Sequence, residues 1–289
     1  MLRGALLTGL NVVCYADDTL VMARGGNWEE TIRLARVGVA HVVGRIRALG
    51  LKVALHKTEA VFFTGPRRRK PPQAHITVEG VHIGIRPHIK YLGLYLDSRW
   101  CFKEHFCRMA PRIGAAVNSF GRLMPNIGGP GDWIRRLYMG VVGSMILYGA
   151  PVWVKDLAAS RGSKMLLQGL QRRLAIRVIR GYRTTSAEAA CVVSGSIPWE
   201  LLAEAHASMY QRRIALRQQG ITPTPSAAKA ERHQSRQLAI EKWKGRLANP
   251  RAGHEAVGAI QPILEDWLDR RHGRLTFRLV QVLTGHGCF

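Results

Sequence analysis

The chain begins with alternating apolar and polar positions and then changes period. Residues 11–24 read as strand, tight turn, strand: Val12, Val13 and Cys14 lead into Ala16-Asp17-Asp18, and Leu20, Val21 and Met22 follow. Gly25-Gly26 breaks the pattern, and Asn27 stands where a helix cap belongs, with Glu30 three residues on to complete a capping box. Trp28, Ile32, Ala35, Val39, Val42, Ile46 and Leu49 then recur at steps of three and four, which predicts one amphipathic helix stopped by Gly50. "EAVFFTG" (59–65) predicts a strand, "PRRRKPPQ" (66–73) an exposed basic loop, "HITVEGVHI" (75–83) a hairpin and "IKYLGLYLD" (89–97) a further strand. The order β-β-α-β-β-β-β predicts an α+β arrangement on a mostly antiparallel sheet.

After Asp97 the period becomes helical as far as Tyr210, with breaks at 124–132 and 148–153. "SKMLLQGLQRRLAIRVIRGYR" (163–183) predicts a helix with Leu166, Leu170, Leu174 and Val178 inside and five arginines: Arg172, Arg173, Arg177, Arg180 and Arg183. Pro111 falls where the period predicts an unbroken helix, and a mid-helix proline costs about 3 kcal/mol. Either a helix begins there or the sequence has drifted from a working one. The Gln-, Pro-, Ala- and Ser-rich stretch 219–236 predicts a linker, and a last apolar-periodic stretch covers 255–283.

Composition narrows the class. The 289 residues are 47% hydrophobic, which excludes global disorder, and they carry a formal net charge of +24. That charge is spread as +8 over 1–100, +9 over 101–200 and +7 over 201–289, so it is not one basic tail. A polyanion held along much of the molecule is the expected partner, with an anionic membrane surface, or an acidic half missing from the chain, as the alternatives. Cys14, Cys101, Cys107, Cys191 and Cys288 show no CxxC spacing and predict reduced thiols. No apolar run approaches the roughly 20 residues of a membrane span, and the apolar start lacks a signal-peptide cleavage site.

The adjacent carboxylates Asp17 and Asp18 sit between two apolar strands. Aspartate favours turns in any case, but hard oxygen ligands at fixed positions are also what a Mg²⁺-dependent nucleotidyl transferase needs. The surroundings favour the second reading. "YADD" (15–18) with its flanking strands resembles the catalytic box of reverse transcriptases. "LGLKVALHKTEAVFF" (49–63) resembles the palm motif that follows it, and "IKYLGLYLD" resembles the primer-grip hairpin after that. "SMILYGAPVW" (144–153), "LQRRLAIRVIRGYRTTS" (170–186) and "HGRLTFRLVQVLTGHGCF" (272–289) resemble thumb and post-thumb segments of non-LTR retrotransposons inserted in arthropod ribosomal RNA genes.

The resemblance implies a partial right-hand palm (1–97), a thumb (98–160), a basic helical region (161–218), the linker (219–236) and a C-terminal helical region (237–289). It implies RNA-directed DNA synthesis in the nucleus, with an RNA template, a DNA primer or target, dNTPs, and Mg²⁺ or Mn²⁺. Asp17 and Asp18 match the metal ligands, Lys57 the general acid for pyrophosphate, and Tyr91, Leu92 and Gly93 the primer grip. Arg172, Arg173, Arg177, Arg180 and Arg183, and the loop Arg67, Arg68, Arg69 and Lys70, match nucleic-acid contacts. Trp133, Trp153 and Trp199 are expected in the core rather than stacked on bases.

One departure bears on activity. The family pattern has a third aspartate upstream of the hairpin, and residues 1–16 contain neither Asp nor Glu. The expectation is a C-terminal portion that needs the N-terminal half of its polyprotein and is inactive alone. The rival readings are a non-catalytic basic nucleic-acid-binding remnant and a pseudogene product.

Overall fold

The computed structural model describes residues 7–64, 72–270 and 274–286. The expected basic loop Arg67–Lys70 and Cys288 lie outside the described residues. The chain forms two compact units, Met1–His105 and Phe106–Phe289. The first division thus falls past the expected boundary at 97.

In the first unit, strands β1 (Leu10–Tyr15) and β2 (Asp18–Ala23) form an antiparallel hairpin with Tyr15 opposite Asp18. Helix α1 (Trp28–Ala48) follows. Asn27 caps it by accepting from the Glu30 amide at 2.8 Å, and the Glu30 carboxylate reaches back to the Gly26 amide at 2.7 Å. At its end Gly50, with φ +74°, closes a Schellman motif: its amide donates to Arg47 and the Leu51 amide donates to Ile46.

A 3₁₀ turn (Leu55–Lys57) and the short β3 (Ala60–Val61) come next, then β4 (His75–Val78), β5 (Val81–Arg86), β6 (His88–Tyr91) and β7 (Leu94–Asp97). The mostly antiparallel sheet expected from the pattern is instead three small sheets: β1-β2, β3-β5-β4 and β6-β7. Within the second, β3 runs parallel to β5. The 89–97 segment is two strands, because Leu92 (φ +45°) and Gly93 (φ +82°) turn the chain in two residues. Glu79 and Gly80 turn the β4–β5 hairpin the same way, with φ of +52° and +81°.

The hairpin β1–β2 lies on α1 at Gly38. A Cβ there would stand 2.8 Å from Leu10 Cδ2 and 3.1 Å from Val21 Cγ1, so the ribbon reaches the helix only because the side chain is absent. Elsewhere the contact is loose. Of the apolar stripe on α1 only Val42 is buried, and about 1600 Å³ of cavity lies among α1, β2 and the β3–β5–β4 sheet, lined by residues such as Val39, Ile46, Ile76 and Ile85.

Among the described residues ten α-helices follow: α2 (Lys103–Leu123), α3 (Asp132–Leu147), α4 (Ala150–Ala159), α5 (Arg161–Ile179), α6 (Ala187–Ser194), α7 (Trp199–Gln218), α8 (Pro225–Leu247), α9 (His254–Ile260), α10 (Leu264–Asp269) and α11 (Phe277–Thr284). Their core gathers Ile179, Val192, Leu201, Ile240, Trp243, Val257 and Leu264. Two expectations change here. Helix α2 runs through Pro111 rather than starting there; Pro111 and Cys107 are exposed, so water can take the carbonyl that proline leaves without a donor. The expected linker is helix from Pro225 onward, since Thr224 caps the helix and proline suits its first position.

Among the described residues all four cysteines are free thiols, and no single helix is long and apolar enough to cross a membrane. Burial pushes the Cys191 thiol up to about 12.

His105 is buried, and burial holds its imidazole down at about 4. Its Nδ1 accepts from the Tyr95 amide. The folded state thus keeps His105 neutral while the unfolded chain protonates it near 6.5. The stability this contributes is complete above pH 6.5 and is lost as pH falls toward 4. Urea melts between pH 7 and 5 are expected to show the parent weakening with acidification and His105→Gln doing so less steeply.

Candidate active site

The reach of the Asp17–Asp18 pair is set by the hairpin that carries it. Only two residues, Ala16 and Asp17, turn the chain between Tyr15 and Asp18, and Ala16 takes a left-handed φ of +51°. For a residue with a Cβ that conformation costs about 1 kcal/mol or more. Alternation along the ribbon puts Leu10, Val12, Val21 and Ala23 on one face, with Leu10 and Val21 meeting Gly38. Tyr15 and Asp18 therefore stand on the opposite face, and Asp17 at the tip.

Both carboxylates are exposed, and among the described residues neither makes an ion pair or hydrogen bond. They are hard oxygen donors and fit Mg²⁺ in kind. Among the described residues no group of three His, Cys, Asp or Glu is placed to hold a metal.

A second hairpin carries the next candidate residues. Tyr91 closes β6 next to the Leu92-Gly93 turn, and its hydroxyl is shielded from solvent with no hydrogen-bond partner. Burial, then the charges of Asp18 and Cys14, push the Tyr91 phenol pKa up. The charge of Asp18 is thus felt at Tyr91, far along the sequence. Glu59 is what ties this hairpin to the segment before it. Its carboxylate takes a hydrogen bond from the Lys90 amide at 3.0 Å and pairs with Arg86 at 2.5 Å. Sequence reasoning passed over Glu59 in favour of Lys57. Lys57 lies exposed on the 3₁₀ turn, and its ammonium makes no hydrogen bond or ion pair among the described residues.

The arginines expected to grip nucleic acid divide into two groups. Arg180 is buried, caps α5 with φ +63°, and bonds Asp132 Oδ1 at 2.7 Å and the Leu275 carbonyl at 2.7 Å. Arg172 donates to the Thr185 carbonyl at 2.9 Å and to the Arg183 carbonyl. These two tie segments of the fold together, Arg180 through Asp132 and both through main-chain carbonyls. Arg173, Arg177 and Arg183 are exposed. A further arginine that the pattern did not single out, Arg135, is fully buried and donates to carbonyls of Pro125, Pro130 and Arg177. Trp153 and Trp199 are core residues as expected, whereas Trp133 is 75% exposed.

A shielded hydroxyl without a partner destabilises a fold, typically by about 1 kcal/mol or more. Tyr91→Phe is therefore expected to leave stability unchanged or raise it by up to about 1 kcal/mol in urea unfolding. A loss of more than about 1 kcal/mol would mean that the hydroxyl is bonded after all.

Comparison with known proteins bears on this geometry. The chain is 24% identical to a retrovirus-related Pol polyprotein from type-1 retrotransposable element R1 4 of Nasonia vitripennis, over 95% of this chain and 74% of that protein. It is 27% identical to the corresponding R1 Pol polyprotein of Bradysia coprophila, over 99% of this chain but 29% of that protein. A putative 115 kDa protein in the R1DM element of Drosophila melanogaster is 26% identical over 73% of this chain and 21% of its own length. No protein-family profile matches the chain, and no solved structure does. The chain is a distant homologue, over nearly its whole length, of the Pol polyproteins of insect R1 non-LTR retrotransposons.

Proposed function

We propose that this chain is the palm and thumb portion of an RNA-directed DNA polymerase that works as part of a longer Pol polypeptide. The observation that supports the reading is the exposed Asp17–Asp18 turn on a two-residue hairpin, with the charge of Asp18 felt at Tyr91 on a second hairpin some seventy residues on. In this reading Asp17 and Asp18 hold Mg²⁺, or Mn²⁺ in its place. Such an ion, when bound, makes the primer 3′-hydroxyl a stronger nucleophile and offsets charge on the departing pyrophosphate.

The chain's own residues do the rest. Tyr91, Leu92 and Gly93 back the primer terminus, and the two-residue turn fixes where that support ends. Lys57, exposed at the end of its 3₁₀ turn, is free to give a proton to pyrophosphate. Arg67, Arg68, Arg69 and Lys70 serve as a further contact with the nucleic acid. The domain reading keeps 1–97 as partial palm, 98–160 as thumb, 161–218 as a basic helical region and 237–289 as a C-terminal helical region. The open cavity beside α1 supports packing of the first unit against other elements of a longer polypeptide, and the relatives from Bradysia and Drosophila are several times longer than this chain.

A second reading, a basic nucleic-acid-binding protein without catalysis, is favoured by the lack of a third metal-ligating group beside Asp17 and Asp18 among the described residues. Primer extension on an RNA template separates the two. The 289-residue chain alone is expected to add no nucleotides. Joined to the upstream part of a relative's Pol polypeptide, it is expected to extend the primer, and Asp17→Asn or Asp18→Asn to lower that activity by about 100-fold or more. No extension by the joined protein, or extension that survives both substitutions, would favour the second reading.

A further inference from the structure

Helix α3 is apolar on two opposite faces, and the packing among the described residues uses one of them. Val142, Gly143 and Ile146 are buried on the inner face, together with Arg135, whose guanidinium is taken up by main-chain carbonyls. On the outer face Trp133, Leu137, Val141 and Tyr148 are 75%, 49%, 39% and 56% exposed. At the helical step of about 100° per residue, the two sets lie on opposite sides of the axis. A helix that is apolar all round is ordinarily covered all round. An exposed apolar strip of this length marks an interaction surface.

The strip also lacks charge. Residues 137–154 contain no Lys, Arg, Asp, Glu or His, the longest such run in the chain. A polyanion finds nothing to pair with there. With a net charge of +24 spread along the sequence, two copies of the chain repel one another over most of their surfaces. The outer face of α3 lets them touch without bringing cations together.

The side chains of this face match themselves. Trp133, Leu137, Gly140, Val141, Ser144 and Tyr148 fall on one stripe, with Tyr148 at the C-cap as its end. The stripe is about 100° wide and about 23 Å long, and its midpoint lies between Gly140 and Val141. When a second α3 is laid antiparallel about a twofold axis through that midpoint, Trp133 meets Tyr148 of the other copy, Leu137 meets Ser144, and Val141 meets Gly140. Each aliphatic side chain then faces a small residue, as knobs facing holes require. Gly140 is open to receive one, since a Cβ built there meets no atom of the described residues within 4 Å. The strip exposes roughly 600 Å² per copy. Counted over both copies, that is about the lower limit for a stable interface.

We propose that the outer face of α3 is a self-association surface, on which two copies of this chain pack antiparallel. The dimer needs neither the carboxylate pair nor a metal, and it is independent of the polymerase reading.

The test is sedimentation equilibrium of the full chain, freed of nucleic acid, at up to about 50 µM and at two salt concentrations. A monomer–dimer equilibrium with a Kd of about 10 µM is expected in about 0.5 M salt. It is expected to weaken severalfold in about 0.1 M salt, where the repulsion between two +24 chains is less screened. Association bridged by nucleic acid would weaken with added salt instead. Val141→Arg sets like charges against each other at the twofold axis and is expected to weaken dimerisation by about 30-fold or more. Its thermal transition is expected to be retained, because position 141 is exposed. Gly140→Leu adds apolar surface and is a better helix former, but it fills the hole. It is expected to weaken dimerisation by about tenfold, whereas a strip that is merely sticky would associate more tightly.

A monomer at both salt concentrations, a dimer indifferent to Val141→Arg, or tighter association of Gly140→Leu would overturn the proposal. So would a monomer that floats with phosphatidylcholine vesicles and ceases to do so in Val141→Arg, which would assign the strip to a lipid bilayer.

Discussion

The placement of the candidate site depends on a contact with no polar group in it: the β1–β2 ribbon resting on α1 at Gly38. A two-stranded hairpin is at best marginal by itself in water, and among the described residues β1 and β2 pair only with each other. What keeps the ribbon in one position is Leu10 and Val21 pressed against a helix that offers no side chain there. Register then does the rest. With those residues turned toward α1, alternation sends Tyr15 and Asp18 to the other face and leaves Asp17 at the tip. Glu59 has the matching task for the second hairpin, since its carboxylate fastens the Lys90 amide one residue before Tyr91.

Much of this was legible in the sequence wherever the signal is local. The helix over 28–48, its Asn27 cap and the Gly50 stop follow from periodicity and capping chemistry, and the structure contains them. The turn at 16–17 and the hairpin at 75–86 were equally readable. The 219–236 stretch reads as a linker by composition, yet Thr224 and Pro225 start a helix there, a local signal that composition masks. Sheet membership was less legible. Nothing short-range in the sequence says that β1–β2, β3–β5–β4 and β6–β7 do not join into one sheet.

The arginines show where sequence reading fails for a physical reason. Five of them near one helix looked alike, yet their uses are set by partners elsewhere in the chain. Arg180 found Asp132, 48 residues away, and the Leu275 carbonyl, 95 residues away. Arg173 and Arg177 lie beside Gly114 and Gly121 of α2. Pattern along the chain reports which residues share a face, not what is opposite that face. The same holds for Tyr91, where no spacing rule could supply the charge of Asp18, and for Trp133, which the helical pattern could not tell from a core tryptophan.

Two non-glycine residues in left-handed backbone, Ala16 and Leu92, mark the two tips, and an unsatisfied tyrosine hydroxyl, that of Tyr91, stands next to the second. Strain and an orphaned polar atom at one spot are features that a fold tends to keep where they serve binding or chemistry. The most direct measurement is Mn²⁺ titration of the chain with fluorinated tyrosine, read by ¹⁹F NMR. If Asp17 and Asp18 form a cation site beside the second hairpin, the Tyr15 and Tyr91 signals broaden first, and Asp17→Asn with Asp18→Asn abolishes the effect. Broadening of Tyr15 without Tyr91, or broadening that persists in the double variant, would contradict the account.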